Sequence, residues 1–483
     1  MFLRHSLVYL LAQGIPSLIA FLTIVIYTRI LTPAEFGIYA LVYTGAMLIS
    51  SIFFQWIRLG LLRFYQARSE DDKKLLLSSI FISFGQVCAI VLLASIPVML
   101  FVGNRGLVLL TVFNGFSQAA FSILLERSRV ELSPLRYGLV SIVRATLMLL
   151  FGVVGFRIFG VVGLLSGLLV GNSLVVTYEF MRFWPLVGWR SSSRSEVVTL
   201  LHYGLPLTAT FALAGIMGFA DRYMLFWMES AAAAGQYSAA YDFTQKVIVT
   251  LMMVINLAGY PLLLKADADG DASMMRQRLL SSLNGLLFIG LPVTLLFVVL
   301  PNQIAGAFLG REFHVQAALL LPWLGLAAII EGLKVYYFDL SFQLRQRTVM
   351  QVWVVALAAT LNIILNILLI PRMAELGAAI STIIANMLAL VMSFALSRKQ
   401  MRMPLWSRDM PKILMAALLM WLVLACLTHF RVFGRGPWFE LALCAIAGLA
   451  AYALSLFGLN TFAMWQHFKR LFYRLQARDP LRP

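Results

Sequence analysis

Fourteen runs of about 20 or more mostly apolar residues divide the chain, each long enough to cross a bilayer as a helix. Their cores are 7–31, 36–57, 76–102, 107–126, 137–156, 158–181, 198–227, 236–264, 279–300, 315–340, 349–370, 374–397, 411–430 and 437–458. The least marked boundary separates the fifth and sixth runs, where only Arg157 and Gly160 signal a turn, so the count lies between twelve and fourteen. The longest connections, 182–197, 265–278 and 398–410, are too short for a folded catalytic domain. Only 12% of residues are charged and the mean hydropathy is +0.88, whereas about a quarter of a soluble domain is charged. These features exclude a soluble enzyme, a disordered chain and a nucleic-acid-binding module, and predict an all-α polytopic membrane protein. The first run is too long for a signal-peptide core and reads as the first span. Cys88, Cys426 and Cys444 lie in apolar runs with no CxxC or His cluster, so neither a disulfide, a metal nor another cofactor is expected.

The net charge of +17 has a membrane explanation. If the N-terminus is inside, the inner segments carry 26 Lys and Arg and the outer ones 7. That asymmetry is the positive-inside pattern, and it puts both termini in the cytoplasm.

The runs also repeat. Ala145-Thr146-Leu147, Gly163 and Asn172 recur as Ala359-Thr360-Leu361, Gly377 and Asn386, all at an offset of 214. Gly37-x-Tyr39-x-x-x-Tyr43 recurs as Gly235-x-Tyr237-x-x-x-Tyr241 at an offset of 198, and Pro97 matches Pro292. Six helices separate the copies, so both keep the same orientation and the repeat is parallel, as in transporters whose site lies between two lobes. The expected divisions are a lobe over 1–190, a lobe over 191–400, two appended helices over 401–460, and a tail over 461–483. That tail is basic and aromatic, and reads as an amphipathic helix on the inner leaflet or, alternatively, a docking segment for an assembly protein.

The segment 28–43, with Arg29, Pro33, Glu35, Gly37 and Tyr39, resembles the R-x-L-x-P-x-E-F-G-x-Y stretch between the first two helices of polysaccharide flippases. These form the PST or Wzx-like branch of the MOP superfamily, beside the MATE exporters and lipid II flippases. Asp221-Arg222 with Gly235-x-Tyr237 resembles the second-lobe counterpart, and Leu59–Tyr65 the helix-two exit. The resemblance implies a bacterial inner-membrane protein that flips undecaprenyl-diphosphate-linked oligosaccharide outward for O-antigen, capsule or exopolysaccharide synthesis. Within the signature, Pro33 ends the first helix, Gly37 permits close helix approach, and Tyr39 and Tyr43 suit the membrane interface.

A cation at mid-bilayer costs about 2.5–3.5 kcal/mol on insertion scales, so charges inside the spans need a partner or water. Arg58 and Arg144 are candidates to receive the diphosphate, because guanidinium pairs bidentately with phosphate. Snorkelling to lipid phosphates is the alternative for both. Arg222 and Lys246 are further candidates, with Arg222 expected to reach outward. Asp242, Asp221 and Glu331 are candidates to couple transport to H+ or Na+. Asp242 and Lys246, four apart, are expected to pair, as are Glu331 and Lys334, three apart. Asp339 is expected in solvent. The cationic bias favours a lipid-linked sugar over the cationic substrates of a MATE-type exporter. A membrane-embedded glycan polymerase or ligase is the third reading, opposed by the short outer loops.

Overall fold

A computed structural model describes residues 2–463 except 67, 102, 131–132, 184–192, 346 and 430–435. The expected tail helix over 461–483 lies almost wholly outside the described residues.

The membrane-crossing elements are all helices. In chain order they are α1 (Phe2–Ile30), α2 (Pro33–Phe64), α3 (Glu70–Phe101), α4 (Arg105–Val130), a long helix Pro134–Phe183, α7 (Arg194–Met228), α8 (Ala231–Ala268), α9 (Ala272–Val299), α10 (Arg311–Leu344), a long helix Thr348–Gln400, α13 (Met410–His429) and α14 (Pro437–Gly458). Each of the two longest helices is two spans. Pro134–Phe183 turns back at Gly160, and Thr348–Gln400 at Ala374. They are therefore α5 and α6 (134–158 and 161–183), and α11 and α12 (348–373 and 375–400). Fourteen spans result among the described residues, in a multi-pass membrane protein.

Local sequence sets these boundaries. Thr32 caps α2: the Glu35 N–H donates to its hydroxyl at 3.3 Å, and the Thr32 N–H donates to the Glu35 carboxylate at 2.9 Å. Pro33 follows as the first helical residue, where its missing N–H costs nothing. Gly160 has φ 60° and ψ −145°, and Ala374 has φ 48° and ψ −128°. Both match the first central residue of a type II′ turn. They also lie 214 apart, the offset of the repeat, so both halves fold back at equivalent positions. Three turns are π-helical: Ser50–Phe54 in α2, Gln245–Val249 in α8 and Lys334–Phe338 in α10.

The helices form two compact units. The first holds α1 to α7, α8 as far as Lys246, and Val352–Ser381. Its α5–α6 hairpin packs backbone to backbone: a Cβ at Gly163 would run into the carbonyl of Gly155, and one at Gly167 into that of Phe151. A buried cluster of Phe54, Ile57, Leu76, Ile80 and Phe116 joins α2, α3 and α4. Helices α2 and α8 cross by a self-matching contact. A Cβ at Gly37 would strike the Ala231 carbonyl, and one at Gly235 would strike the Pro33 carbonyl. The offset of 198 maps Gly37 on Gly235 and Pro33 on Ala231, so each half of the crossing repeats the other.

The second unit holds the rest of α8, α9, α10 and the start of α11 as far as Gln351, and the chain from Thr382. Leu279, Leu286 and Leu324 are among its buried apolar residues. The Tyr452 hydroxyl of α14 donates to the Phe288 carbonyl of α9 at 3.1 Å.

Candidate functional site

Polar and aromatic side chains from eight helices converge in the first unit. Five of them are tyrosines. Tyr27 of α1 meets Tyr39 edge to face at 5.2 Å, and Tyr39 stacks on Tyr43 at 5.8 Å. The repeat of this pair on α8, Tyr237 and Tyr241, stacks at the same 5.8 Å. Tyrosines four apart on one helix face produce both stacks.

Arg222 of α7 is 2% exposed and holds Asp242 of α8 with both terminal nitrogens, one contact at 3.2 Å. Its guanidinium also lies 5.4 Å from the Tyr241 ring and 5.6 Å from the Phe219 ring. Arg222 therefore does not reach outward. Leaving an unpaired guanidinium in the bilayer would be costlier than turning it in to a carboxylate. Asp242 is accordingly not paired with Lys246, which is exposed. The π turn that begins at Gln245 interrupts the four-residue register between them.

Asp221, next in sequence to Arg222, faces a different set. It accepts from the Tyr237 hydroxyl at 2.6 Å and from the Asn366 amide of α11 at 2.6 Å, and that amide also reaches Asn362. The Asn366 carbonyl oxygen is buried with no hydrogen-bond partner among the described residues.

Arg144 of α5 sits in a third arrangement. Its Nε–H donates to the Asn172 carbonyl of α6 at 2.6 Å, and a terminal N–H donates to the Gln118 carbonyl of α4. Asn172 in turn donates to the Ser117 hydroxyl at 2.8 Å, and the guanidinium covers the Phe121 ring at 4.1 Å. Its hydrogen-bond partners are neutral amides. No carboxylate lies within salt-bridge range of it among the described residues. Tyr43 is within electrostatic reach of both Arg144 and Asp242, and Tyr39 of both Asp242 and Arg222. The tyrosine stack is thus within electrostatic reach of both arginines, and these groups together form the polar centre of the first unit. Within that centre Arg222 is matched by Asp242, Asp221 is held by Tyr237 and Asn366, and Arg144 has no carboxylate within salt-bridge range among the described residues.

The remaining candidates lie apart from it. Arg58 is 3.9 Å from Glu126, which also holds Arg129 at 3.2 Å. Arg29 is exposed beside the α2 cap, and Glu35 serves that cap. In the second unit, Lys334 pairs with Asp339 at 2.9 Å rather than with Glu331, which is half-buried. Asp339 is fully buried rather than solvated, and also accepts from Ser393 at 2.7 Å and Gln351 at 3.1 Å. The π turn explains the exchange: the Asp339 N–H donates to the Lys334 carbonyl, five residues back, and brings positions five apart onto one face.

Gln118, Asn362 and Asn366 are site residues that the sequence reading passed over. A signal for them was present, since each is an uncharged amide inside an apolar run, where an unpartnered polar group is expensive.

Residues 2–267, more than half of the chain, match the profile of a family described as "Polysaccharide biosynthesis protein". No curated protein matches in sequence. Among solved structures, the chain is similar to a lipid II flippase MurJ in an inward closed conformation. The TM-score is 0.73 at 15% identity, covering 98% of this chain and 100% of that one. It is also similar to an inward-facing multidrug resistance MATE family transporter of the MOP superfamily, with a TM-score of 0.66 at 15% identity over 81% and 97% of the two chains. A MOP superfamily transporter from Pyrococcus furiosus aligns with a TM-score of 0.55 at 16% identity over 82% and 94%. These likenesses establish a shared transporter fold.

Proposed function

The chain belongs to the polysaccharide biosynthesis protein family, and from that premise we propose that it is a flippase for undecaprenyl-diphosphate-linked oligosaccharide. It carries the lipid-linked sugar from the cytoplasmic to the periplasmic leaflet of a bacterial inner membrane by alternating access, with both termini inside. The 26-to-7 distribution of basic residues supports that orientation.

Arg144 carries the reading. A guanidinium held inside a span by amides alone is positioned and still uncompensated, which is the state an incoming diphosphate needs. The position equivalent to Arg144 in the second half is Ala358, so this cation belongs to the first lobe, 1–190. The headgroup enters there, while the lipid tail stays in the bilayer through the gap to the second lobe, 191–400. Arg222 is the second cation of the centre. The buried Asp221, with its two asparagines, is the seat of the coupling ion, H+ or Na+. No bond is made or broken. The relative named a lipid II flippase supports a lipid-linked substrate for this fold.

The MATE-like fold and the partly exposed Asp242 favour a second reading, an exporter of small cations. Flipping in proteoliposomes separates the two. Purified chain is reconstituted with a fluorescent undecaprenyl-diphosphate oligosaccharide, and its appearance in the opposite leaflet is followed by quenching, with a cationic dye as the competing cargo. Wild type should move the lipid, and Arg144→Ala should slow it at least about tenfold, since hydrogen bonds to charged groups contribute about 1.5–3 kcal/mol. Equal rates in the variant would remove Arg144 from the headgroup site. Dye transport with no lipid movement would replace the flippase by the exporter.

A further inference from the structure

The connection from α12 to α13 is fastened to the second unit at two points. The buried Tyr337 of α10 donates its hydroxyl to the Pro404 carbonyl, and the Ser407 hydroxyl donates to the Asn284 carbonyl oxygen of α9 at 2.7 Å. Just upstream, the Met401 N–H closes the last turn of α12 on the Ser397 carbonyl at 2.8 Å. Arg402 therefore stands on a fixed stretch of backbone, although its side chain is exposed. It lines a cavity of about 690 Å³ within the second unit, bounded by the α8–α9 turn, the end of α10 and this connection. That is the size of a small-molecule site. The cavity has an apolar floor of Met275, Leu279 and Met403, all buried. Its rim carries three exposed guanidinium groups, those of Arg276, Arg345 and Arg402.

Two carboxylates share the cavity, and both are committed. Asp271 caps α9, accepting from the Ser273 and Met274 N–H groups at 2.9 Å each. Asp267 faces Arg345 at 3.7 Å. Arg276 and Arg402 have no carboxylate within salt-bridge range among the described residues. Local sequence brings them together. Gly270 takes φ 68° and turns the chain sharply from α8 into α9, which carries Arg276 into the cavity one turn later.

We propose that this cavity binds the phosphate of an anionic phospholipid, clamped by Arg276 and Arg402. The guanidinium fork matches phosphate oxygens in pairs, and basic pockets between spanning helices on the cytoplasmic side take anionic headgroups. The site is independent of the flippase reading. Only the leaflet follows from the orientation proposed above, which makes this end of the second unit cytoplasmic. What adjoins the cavity favours a lipid over a soluble phosphate. Leu405 and Trp406, which follow Pro404, are exposed, and an exposed indole suits headgroup depth. The apolar floor offers the glycerol and upper acyl carbons a surface that inorganic phosphate has no use for. A lipid seated there ties the α8–α9 turn and the α12–α13 connection to one charge.

The test is ligand-dependent unfolding. Full-length chain in neutral detergent is titrated with short-chain phosphatidylglycerol while the thermal midpoint is followed. Short-chain phosphatidylcholine and inorganic phosphate, at matched ionic strength, are the comparison arms. A ligand that binds only the folded chain raises the midpoint with concentration. The wild-type midpoint should rise and saturate with phosphatidylglycerol and stay level in the other two arms. Arg276→Gln combined with Arg402→Gln should need at least about tenfold more lipid for the same rise, the loss expected from two charge-assisted hydrogen bonds. Without lipid this double variant should melt with wild type, because both side chains are exposed and lack a carboxylate partner. Arg311→Gln, at the opposite end of α10, should keep the wild-type response. No rise with phosphatidylglycerol, an equal rise with phosphatidylcholine, a wild-type response in the double variant or a lost response in Arg311→Gln each overturns the site. A saturable rise with inorganic phosphate that the double variant loses would give the cavity to a soluble phosphate and overturn the lipid assignment.

Discussion

Arg144 and Lys334 are both basic residues inside spanning helices, and their surroundings differ in kind. Lys334 faces Asp339, whose carboxylate also accepts from Ser393 and Gln351. Every charge there is matched, and Asp339 is fully buried. Arg144 meets two carbonyl oxygens of neutral amides and the face of Phe121, and is only half-buried. A mid-bilayer cation costs about 2.5–3.5 kcal/mol on insertion scales, and the two sites offset it by different means. At Lys334 a fixed counter-charge does so, which leaves nothing for a ligand. At Arg144 amide dipoles and partial access do so, which leaves a net charge. A buried cation in a transporter thus becomes informative once its counter-charge has been looked for.

The comparison breaks most readily on stability. Asp339→Ala strands the Lys334 ammonium, and breaking a buried pair from one side costs about 3–5 kcal/mol. Arg144→Ala removes the charge together with its need for partners, and should cost under about 2 kcal/mol, as an ordinary truncation with two amides left to rebond. Thermal unfolding of both variants in the same detergent decides. A large downward shift of the midpoint is expected for Asp339→Ala and a small one for Arg144→Ala. Equal shifts would mean that both cations are structural. Replacing both members, Lys334→Met with Asp339→Leu, should recover most of the loss, because no unpaired charge then remains.

A second contrast concerns glycines. The Gly37 position has no room for a Cβ, since the obstacle is the Ala231 carbonyl of a neighbouring helix, whereas a Cβ at Gly218 meets nothing within 4 Å. Gly37→Ala should therefore force α2 and α8 apart at a cost of about 1–3 kcal/mol, the range for overpacking. Gly218→Ala should be neutral or slightly stabilising, by about 0.5–1 kcal/mol, because alanine favours a helix interior. Midpoints and flipping rates of the two variants test this. A neutral Gly37→Ala would show that the crossing is loose.

These contrasts also separate what was legible in the chain from what was not. The apolar runs identify the fourteen spans because span length is set by the bilayer and not by tertiary detail. The offset of 214 also holds in the backbone, since Gly160 and Ala374 take matching left-handed turns. The capping box Thr32-x-x-Glu35, which the signature reading did not pick out, explains Glu35 better than any contact with substrate does. The charge pairing was not readable. Spacings of three and four residues assume an unbroken α-helix, and π turns at Gln245–Val249 and Lys334–Phe338, which contain Lys246 and Lys334, break that assumption. Arg222 finds Asp242 twenty residues away on another helix, and Arg144 finds Gln118 and Asn172 on two others. Such partners depend on which helix faces meet, and apolar periodicity in a bilayer says little about that, since lipid and core are equally apolar.

The smallest expected effect lies at the two hairpin turns. Gly160 takes φ 60° without strain, because it has no Cβ. Its equivalent Ala374 holds φ 48° with a Cβ, in a region that costs an L-residue roughly 1–2 kcal/mol. Ala374→Gly should remove that strain. Glycine also gives the unfolded chain more freedom, which takes back about 0.4–1 kcal/mol. The net gain should then be near 1 kcal/mol at most, seen as a small rise in the unfolding midpoint. The converse change, Gly160→Ala, should lower it by a similar amount. The two turns occupy equivalent places in the repeat, so opposite signs from opposite substitutions are expected if turn geometry alone decides. A loss of stability in Ala374→Gly would instead show that the alanine methyl packs against something that offsets its strain.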